Sequence, residues 1–284
     1  MLVFDDEKFS LSVGMIDIGF VLTYHIFRLQ RQISLRFKEK FMNLGVRGHD
    51  VPSESAELLC QKLCQLGLYE IQLVAHKSFP DFPYGKEAVT KLAETLKHYG
   101  IRVAIYGCYV DPLAEAGKAR FLEHIEYAKI LNAGVIATES GVCLADPNRE
   151  AEDYANLVEV FRQFTSHAAS MGVNVAIETV FGHPICTPEK TKRLLTDVAA
   201  ENLFVILDPV NLNHCENDPA FYAHSQKAVE LYGDKIIAVH WKHAEIFKDH
   251  PAICFWRGSD RAVLIAEGLT DEKLEGFVKQ ANNL

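Results

Sequence analysis

No stretch of this 284-residue chain comes near the ~20 consecutive apolar residues that a membrane-spanning helix needs. The most apolar early stretch, Met15 to Phe27, is broken by Asp17, Thr23, Tyr24 and His25. The residues before it, Asp5-Asp6-Glu7, are acidic where a signal peptide is basic. Neither a membrane anchor nor a targeting segment is expected, and the expected location is the cytoplasm. Positive charge is also short. The chain has 29 Lys+Arg against 38 Asp+Glu, a formal net charge of −9. That balance argues against a nucleic-acid surface and fits a protein with small-molecule ligands. The seven cysteines are odd in number and contain no CxxC pair. Cys60 and Cys64 lie four apart on a helical pattern and share a face. Free thiols in a reducing compartment explain them better than a disulfide framework or a metal cluster. A Gly-rich phosphate loop after the first strand-like segment is missing too, which counts against a doubly wound dinucleotide-binding sheet.

What the chain does have is a repeated alternation. Hydrophobic residues make up 49% of it, enough for a large core. Apolar runs predict strands at Leu44–His49, Ile71–Val74, Val103–Tyr106, Val135–Thr138, Val173–Glu178, Phe204–Asp208, Ile236–His240 and Val263–Glu267. Amphipathic stretches between them predict helices at Ser55–Leu66, Lys86–Tyr99, Ala119–Leu131, Tyr154–Met171, Pro188–Ala200 and Pro219–Tyr232. Gly67, Gly100, Gly134, Gly172 and Gly233 follow the helical patterns closely, where a left-handed cap hands the chain to the next strand. Strand starts recur roughly every 27 to 40 residues, the length of one βα unit. The expected fold is therefore an α/β protein, a (β/α)8 TIM barrel; a doubly wound sheet is the alternative.

Two segments stand outside the repeat. Residues 1–41 precede the first strand, and Met42 opens "MNLGVRGHD" as a natural first strand would. The expectation is an N-terminal extension over 1–41 and a barrel domain over 42–284, with Met42 a candidate true start. The segment "WKHAEIFKDHPAICFWRGSDR", residues 241–261, must supply a whole parallel crossover. It contains Pro251 and Gly258 and no helical period, so the seventh helix is expected to be shortened or missing.

In a parallel barrel the chemistry sits at the carboxyl ends of the strands. The strand ends here carry His49 and Asp50, then Glu139, then Glu178 with His183 after it, then Asp208, then His240 with His243 after it, then Glu267. A lone strand-end carboxylate is ordinarily a turn former or helix cap, and a lone histidine an ordinary loop residue. Glu178, Asp208, His240 and Glu267 differ because they close four successive strands, five to eight, and so converge on one rim. One imidazole and three carboxylates form a hard, mostly oxygen set. It suits one divalent ion such as Mn²⁺, Mg²⁺ or Co²⁺, and Zn²⁺ also fits.

At these residues the chain resembles the sugar phosphate isomerase/epimerase family, the xylose isomerase-like barrel superfamily. That group includes ketose 3-epimerases, hydroxypyruvate isomerase, inosose dehydratase and the endonuclease IV repair enzymes. The resemblance runs from about Met42 to Leu284 and is carried by "VAIETV", "VILDPVNL", "AVHWKH" and "LIAEGL". It implies a metal quartet at Glu178, Asp208, His240 and Glu267, with Glu178 and Glu267 as the proton-transfer pair. The family's histidine three residues after the strand-six aspartate is replaced by Asn211, which can hydrogen-bond a substrate hydroxyl but cannot titrate near neutral pH. The spacing from His240 to Glu267 is shorter than the family's by roughly one helical crossover.

The implied activity is metal-dependent isomerisation or epimerisation of a sugar or sugar phosphate, by proton transfer next to a carbonyl through an enediolate. The same ligand set would serve a dehydratase of the inosose dehydratase kind. A barrel with a defective site, acting as a sugar-binding or structural protein, is the reading from another class. His183, Asn211, His243, His49 and Glu139 are the candidate substrate contacts, and Lys77 in "LVAHKSF" could meet an anionic group. The expected partner is a small sugar or polyol rather than a nucleic acid or a membrane, and homo-oligomerisation is left open.

Overall fold

The computed structural model describes residues 42–51, 53–141, 150–180, 182–209, 211–212, 221–242, 252–258 and 261–267. Residues 1–41 lie outside the described residues, so the expected extension does too. All the described residues belong to the unit Lys40–Leu284.

Each of the eight expected strands is present within a few residues of its expected bounds. They are β1 (Met42–Arg47), β2 (Glu70–Leu73), β3 (Arg102–Gly107), β4 (Val135–Thr138), β5 (Asn174–Glu178), β6 (Leu203–Leu207), β7 (Ile236–Lys242) and β9 (Arg261–Glu267). The strand β8 (Ala252–Gly258) is an addition between β7 and β9. Neighbouring strands from β1 to β7 pair in parallel, and β9 pairs in parallel with β1 to close the barrel. Val135–Thr138 is buried at every position and Ile177, Val205, Ile206 and Leu207 are buried too, as expected for parallel strands covered on both faces.

The helices are α1 (Ala56–Gln65), α2 (Ala75–Ser78), α3 (Lys86–His98), α4 (Glu115–Ile130), α5 (Glu150–Ser170), α6 (Pro188–Val198) and α7 (Phe221–Tyr232). Two of their starts carry side-chain caps. Ser55 Oγ accepts from Leu58 N at 3.2 Å to cap α1, and Thr187 Oγ1 accepts from Lys190 N at 3.2 Å to cap α6, with Pro188 in its first turn. The ends follow the glycine expectation only in part. Gly67, Gly100 and Gly172 take positive φ after α1, α3 and α5. After α4 the left-handed residue is Asn132, not Gly134, and after α7 Gly233 opens a short 3-10 turn. An asparagine tolerates that backbone region because its short side chain can bond locally.

The expected shortening of the seventh helix has a definite form. Among the described residues no helix lies between β7 and β9. The stretch "AICFWRG" is instead a strand, antiparallel to both β7 and β9 and touching β1 where Asn43 pairs with Trp256. Its apolar, aromatic and β-branched residues suit a sheet. Connection length decides the direction. Only residues 259–260 separate β8 from β9, and Gly258 pairs with Arg261 across them, which a parallel crossover cannot do.

The core between β3 and the helices includes one titratable pair. His124 on α4 is 4% exposed, and its Nδ1 lies 3.0 Å from the Tyr106 hydroxyl of β3. Burial, and then the neighbouring Arg120 charge, push the His124 pKa down to about 4. The folded ring therefore stays neutral and shares a hydrogen bond with the Tyr106 hydroxyl. In the unfolded chain the same group takes a proton near 6.5. Its contribution to stability is present above pH about 6.5 and is lost as the pH falls from there towards about 4. Urea unfolding across this window should show stability falling by up to about 1.4 kcal/mol per pH unit from this group. His124→Gln, which keeps an acceptor but does not titrate, should flatten that slope; an unchanged slope would count against the assignment.

Candidate metal centre

Three of the strand-end residues meet. Glu178 is the last residue of β5, Asp208 follows the last residue of β6, and His240 lies near the end of β7. Glu178 pairs in register with Ile206, and Leu207 pairs with Val239. One step further along, Asp208 and His240 therefore stand side by side at the carboxyl rim. His240 Nδ1 is 3.4 Å from Asp208 Oδ2 and 3.5 Å from Glu178 Oε1. The ligand atoms of all three lie within 4.8 Å of one another. Glu178 is 3%, Asp208 0% and His240 1% exposed. Among the described residues this is the single group of His, Cys, Asp or Glu side chains with metal-binding spacing.

Charge decides what the group is suited to hold. Burying a carboxylate costs several kcal/mol unless it is compensated. An imidazolium would bring one positive charge against two negative ones; a divalent cation brings two. The donor set, two carboxylates and one imidazole, is a set that such ions accept. Glu178, Asp208 and His240 therefore fit a divalent metal ion.

Neutral donors hold the two carboxylates in place. Asn211 Nδ2 donates to Glu178 Oε1 at 2.7 Å, and Asn211 N donates to Asp208 Oδ1 at 2.9 Å. The residue expected as a substrate contact thus ties the two carboxylates together. The Tyr109 hydroxyl donates to Glu178 Oε2 at 3.1 Å, and Gln72 Nε2 donates to the Tyr109 oxygen at 2.7 Å. Burial, and then the Glu178 and Glu139 carboxylates, raise the Tyr109 pKa well above its usual value, so the phenol keeps its proton. Gln72 and Tyr109 were not among the residues expected from sequence. The available signal for Gln72 was one amide inside the apolar run "IQLV"; nothing in "IYGCYV" singles out Tyr109.

The other expected residues take separate places on the rim. His49 lies in the 3-10 turn Gly48–Asp50 directly after β1, with Nε2 3.9 Å from Asp50 Oδ1. Asp50 is itself held by Arg47 at 2.7 and 3.1 Å. Burial, then the charges of Arg47, Lys77, His240 and His76, push the His49 pKa down to about 2. It stands on the rim as a neutral ring. Glu139 and His183 pair with each other, Oε2 to Nδ1, at 3.8 Å. Burial lowers the His183 pKa, with Glu178 opposing. The loop carrying His183 is fastened to the end of β4, where Ile185 N donates to Ser140 Oγ at 3.0 Å. The exposed Lys77 places its ammonium 5.4 Å from the Tyr109 ring centroid. The backbone of Glu267 ends β9 one step beyond Ala266, which pairs with Val46 of β1. Its side chain and the whole of His243 lie outside the described residues.

The fold and the buried centre define a TIM barrel with a candidate metal site at its carboxyl rim. The family model "Xylose isomerase-like TIM barrel" matches residues 60–282, and the chain belongs to that family. Solved structures with the same fold include a D-psicose 3-epimerase crystallised in the presence of D-fructose, 23% identical with a TM-score of 0.54. That match covers 67% of this chain and 71% of the other. A putative xylose isomerase from Rhodospirillum rubrum is 15% identical with a TM-score of 0.68, covering 85% of this chain and 99% of that one. The IOLI protein with a binding zinc atom is 17% identical with a TM-score of 0.64, covering 85% and 96%. No curated protein matches by sequence.

The amide of Asn211 is open to a direct test. Asn211→Ala removes the donor to Glu178 but leaves the backbone donor to Asp208. Mn²⁺ affinity measured by titration calorimetry should weaken by about 10- to 100-fold without being abolished. An affinity equal to that of the unaltered protein would show that the amide does not orient the ligand.

Proposed function

We propose that the protein is a divalent-metal-dependent sugar isomerase or epimerase that moves a proton next to a carbonyl. The observation that carries this reading is the burial of Glu178, Asp208 and His240 within ligand distance of one another at the ends of successive parallel strands. Family membership supports it, as do structural neighbours named as epimerases and as a putative xylose isomerase. A divalent ion, Mn²⁺, Mg²⁺ or Co²⁺ in preference to Zn²⁺, would be held by Glu178, Asp208 and His240 with Glu267 as a fourth ligand, and would polarise a substrate carbonyl and its neighbouring hydroxyl.

The chain's own residues have distinct tasks in this reading. Glu178 and Glu267 end β5 and β9 and transfer the proton. Two carboxylates on opposite sides of a sugar give epimerisation; one that returns the proton to a neighbouring carbon gives isomerisation. Asn211 holds Glu178 and Asp208 in one arrangement, so little reorganisation is needed when charge develops on the substrate. His49, Glu139 and His183 line the strand mouths around the centre as neutral and acidic partners for sugar hydroxyls. The barrel domain is 42–284 in this reading, and residues 1–41 are an extension.

A panel of ketoses, inososes and hydroxypyruvate, each with and without added Mn²⁺, Mg²⁺ or Co²⁺, tests the proposal. The expected result is metal-dependent turnover to a product of unchanged mass. Glu178→Gln should lower kcat/KM by about 100- to 10,000-fold while the protein still folds. Full activity after chelation of divalent ions would overturn the reading, and a product lighter by one water would assign a dehydratase instead.

A further inference from the structure

We infer that Tyr109, carried by Gln72, is a positioning residue that fixes the orientation of Glu178 and thereby sets the affinity of the metal centre. The inference rests on the reading of Glu178, Asp208 and His240 as a divalent-ion site. It adds two residues from β2 and from the loop after β3 that neither the family match nor the strand-end pattern singles out.

Hydrogen-bond polarity makes the relay directional. An ionised Glu178 accepts only, so the Tyr109 O–H must donate to Oε2 across 3.1 Å. The phenol oxygen is then left as an acceptor, and the group that faces it at 2.7 Å must be the NH2 of Gln72. That order, amide to phenol to carboxylate, uses each proton once. Gln72 is 0% exposed within β2, where an amide costs stability unless it is bonded. Asn211 occupies the other oxygen of Glu178 at 2.7 Å. With a donor on each oxygen, the carboxylate plane cannot turn without breaking one of the two bonds. The oxygen that takes the Asn211 bond is the one that faces His240 Nδ1, at 3.5 Å.

The ring of Tyr109 is seated as well as bonded. A Cβ at Gly107 would stand 2.8 Å from Tyr109 Cε2 and 2.7 Å from Val74 Cγ2, both inside real contact distance. Glycine at 107 therefore lets the ring lie against the end of β3. The ammonium of Lys77, on α2, lies over the ring, 5.4 Å from its centroid. Partners that orient a metal ligand commonly change affinity by about 10- to 100-fold when removed. Tyr109 is placed to act in that way on Glu178.

Mn²⁺ titration calorimetry on four full-length proteins tests this: the unaltered chain, Tyr109→Phe, Gln72→Leu and the double variant. Tyr109→Phe keeps the ring, its seat on Gly107 and its contact with Lys77, and loses only the hydroxyl. It should still fold, with a somewhat lower melting temperature because the buried Gln72 amide loses its acceptor, and bind Mn²⁺ about 10- to 100-fold more weakly. Gln72→Leu should weaken binding less, and the double variant should match Tyr109→Phe, because Gln72 acts through the phenol. Equal Mn²⁺ affinity for Tyr109→Phe and the unaltered protein would overturn the inference while leaving the metal reading intact. Losses that simply add in the double variant would overturn the Gln72 step. If the unaltered chain takes up no Mn²⁺, and Asp208→Ala changes nothing, the metal reading and the relay fall together.

Discussion

Two carboxylates and an imidazole buried within a few ångströms of one another are the constraint around which the rest of this rim is arranged. Such a group is costly in a barrel interior unless something offsets its negative charge. Neutral hydrogen bonds spread the charge but bring none of their own. Asn211 and Tyr109 perform that service and each holds a carboxylate in place, while Gln72 holds the Tyr109 hydroxyl. The centre is thus already in a geometry that a divalent ion can use.

The barrel supplies the rigidity behind this. Glu178, Asp208 and His240 sit on or beside strands whose apolar residues are buried on both faces and locked in parallel register. A ligand at the end of such a strand inherits a backbone that cannot slide, since a one-residue slip would exchange its two faces. The surrounding rim is less uniform. His49 is kept neutral among cationic neighbours, while Glu139 and His183 pair beside the loop pinned by Ser140. The rim thus carries a neutral ring after β1 and a carboxylate–imidazole pair beyond β4 and β5.

The added strand β8 alters the barrel between β7 and β9. It is antiparallel, so its first residue, Ala252, lies level with both Lys242 and Glu267. The chain leaves β7 and re-enters the sheet at the same rim, where a helical crossover would have returned it at the opposite end. Glu267 is consequently reached across a hairpin rather than after a βα unit. The short spacing from His240 to Glu267 reflects that difference in connection.

Much of this was legible in the sequence because the signals are local. An apolar run ends where a strand ends, and Val135–Thr138 was bounded correctly from its residues alone. Glu178, Asp208 and His240 stood out because each breaks such a run at its carboxyl end. Seven residues of β8 did not, since "AICFWRG" reads equally as a failed helix. Its direction follows from pairing with β7 and β9, and pairing is not local. Gln72 and Tyr109 escaped for the same reason: they are 37 residues apart, and Tyr109 is 69 residues from Glu178. The alternation of elements and the chemical types at the strand ends follow from the residues alone, because they depend on neighbours along the chain. Which carboxylate meets which donor was decided only by the closed sheet, because hydrogen bonds across strands depend on register and distance in space.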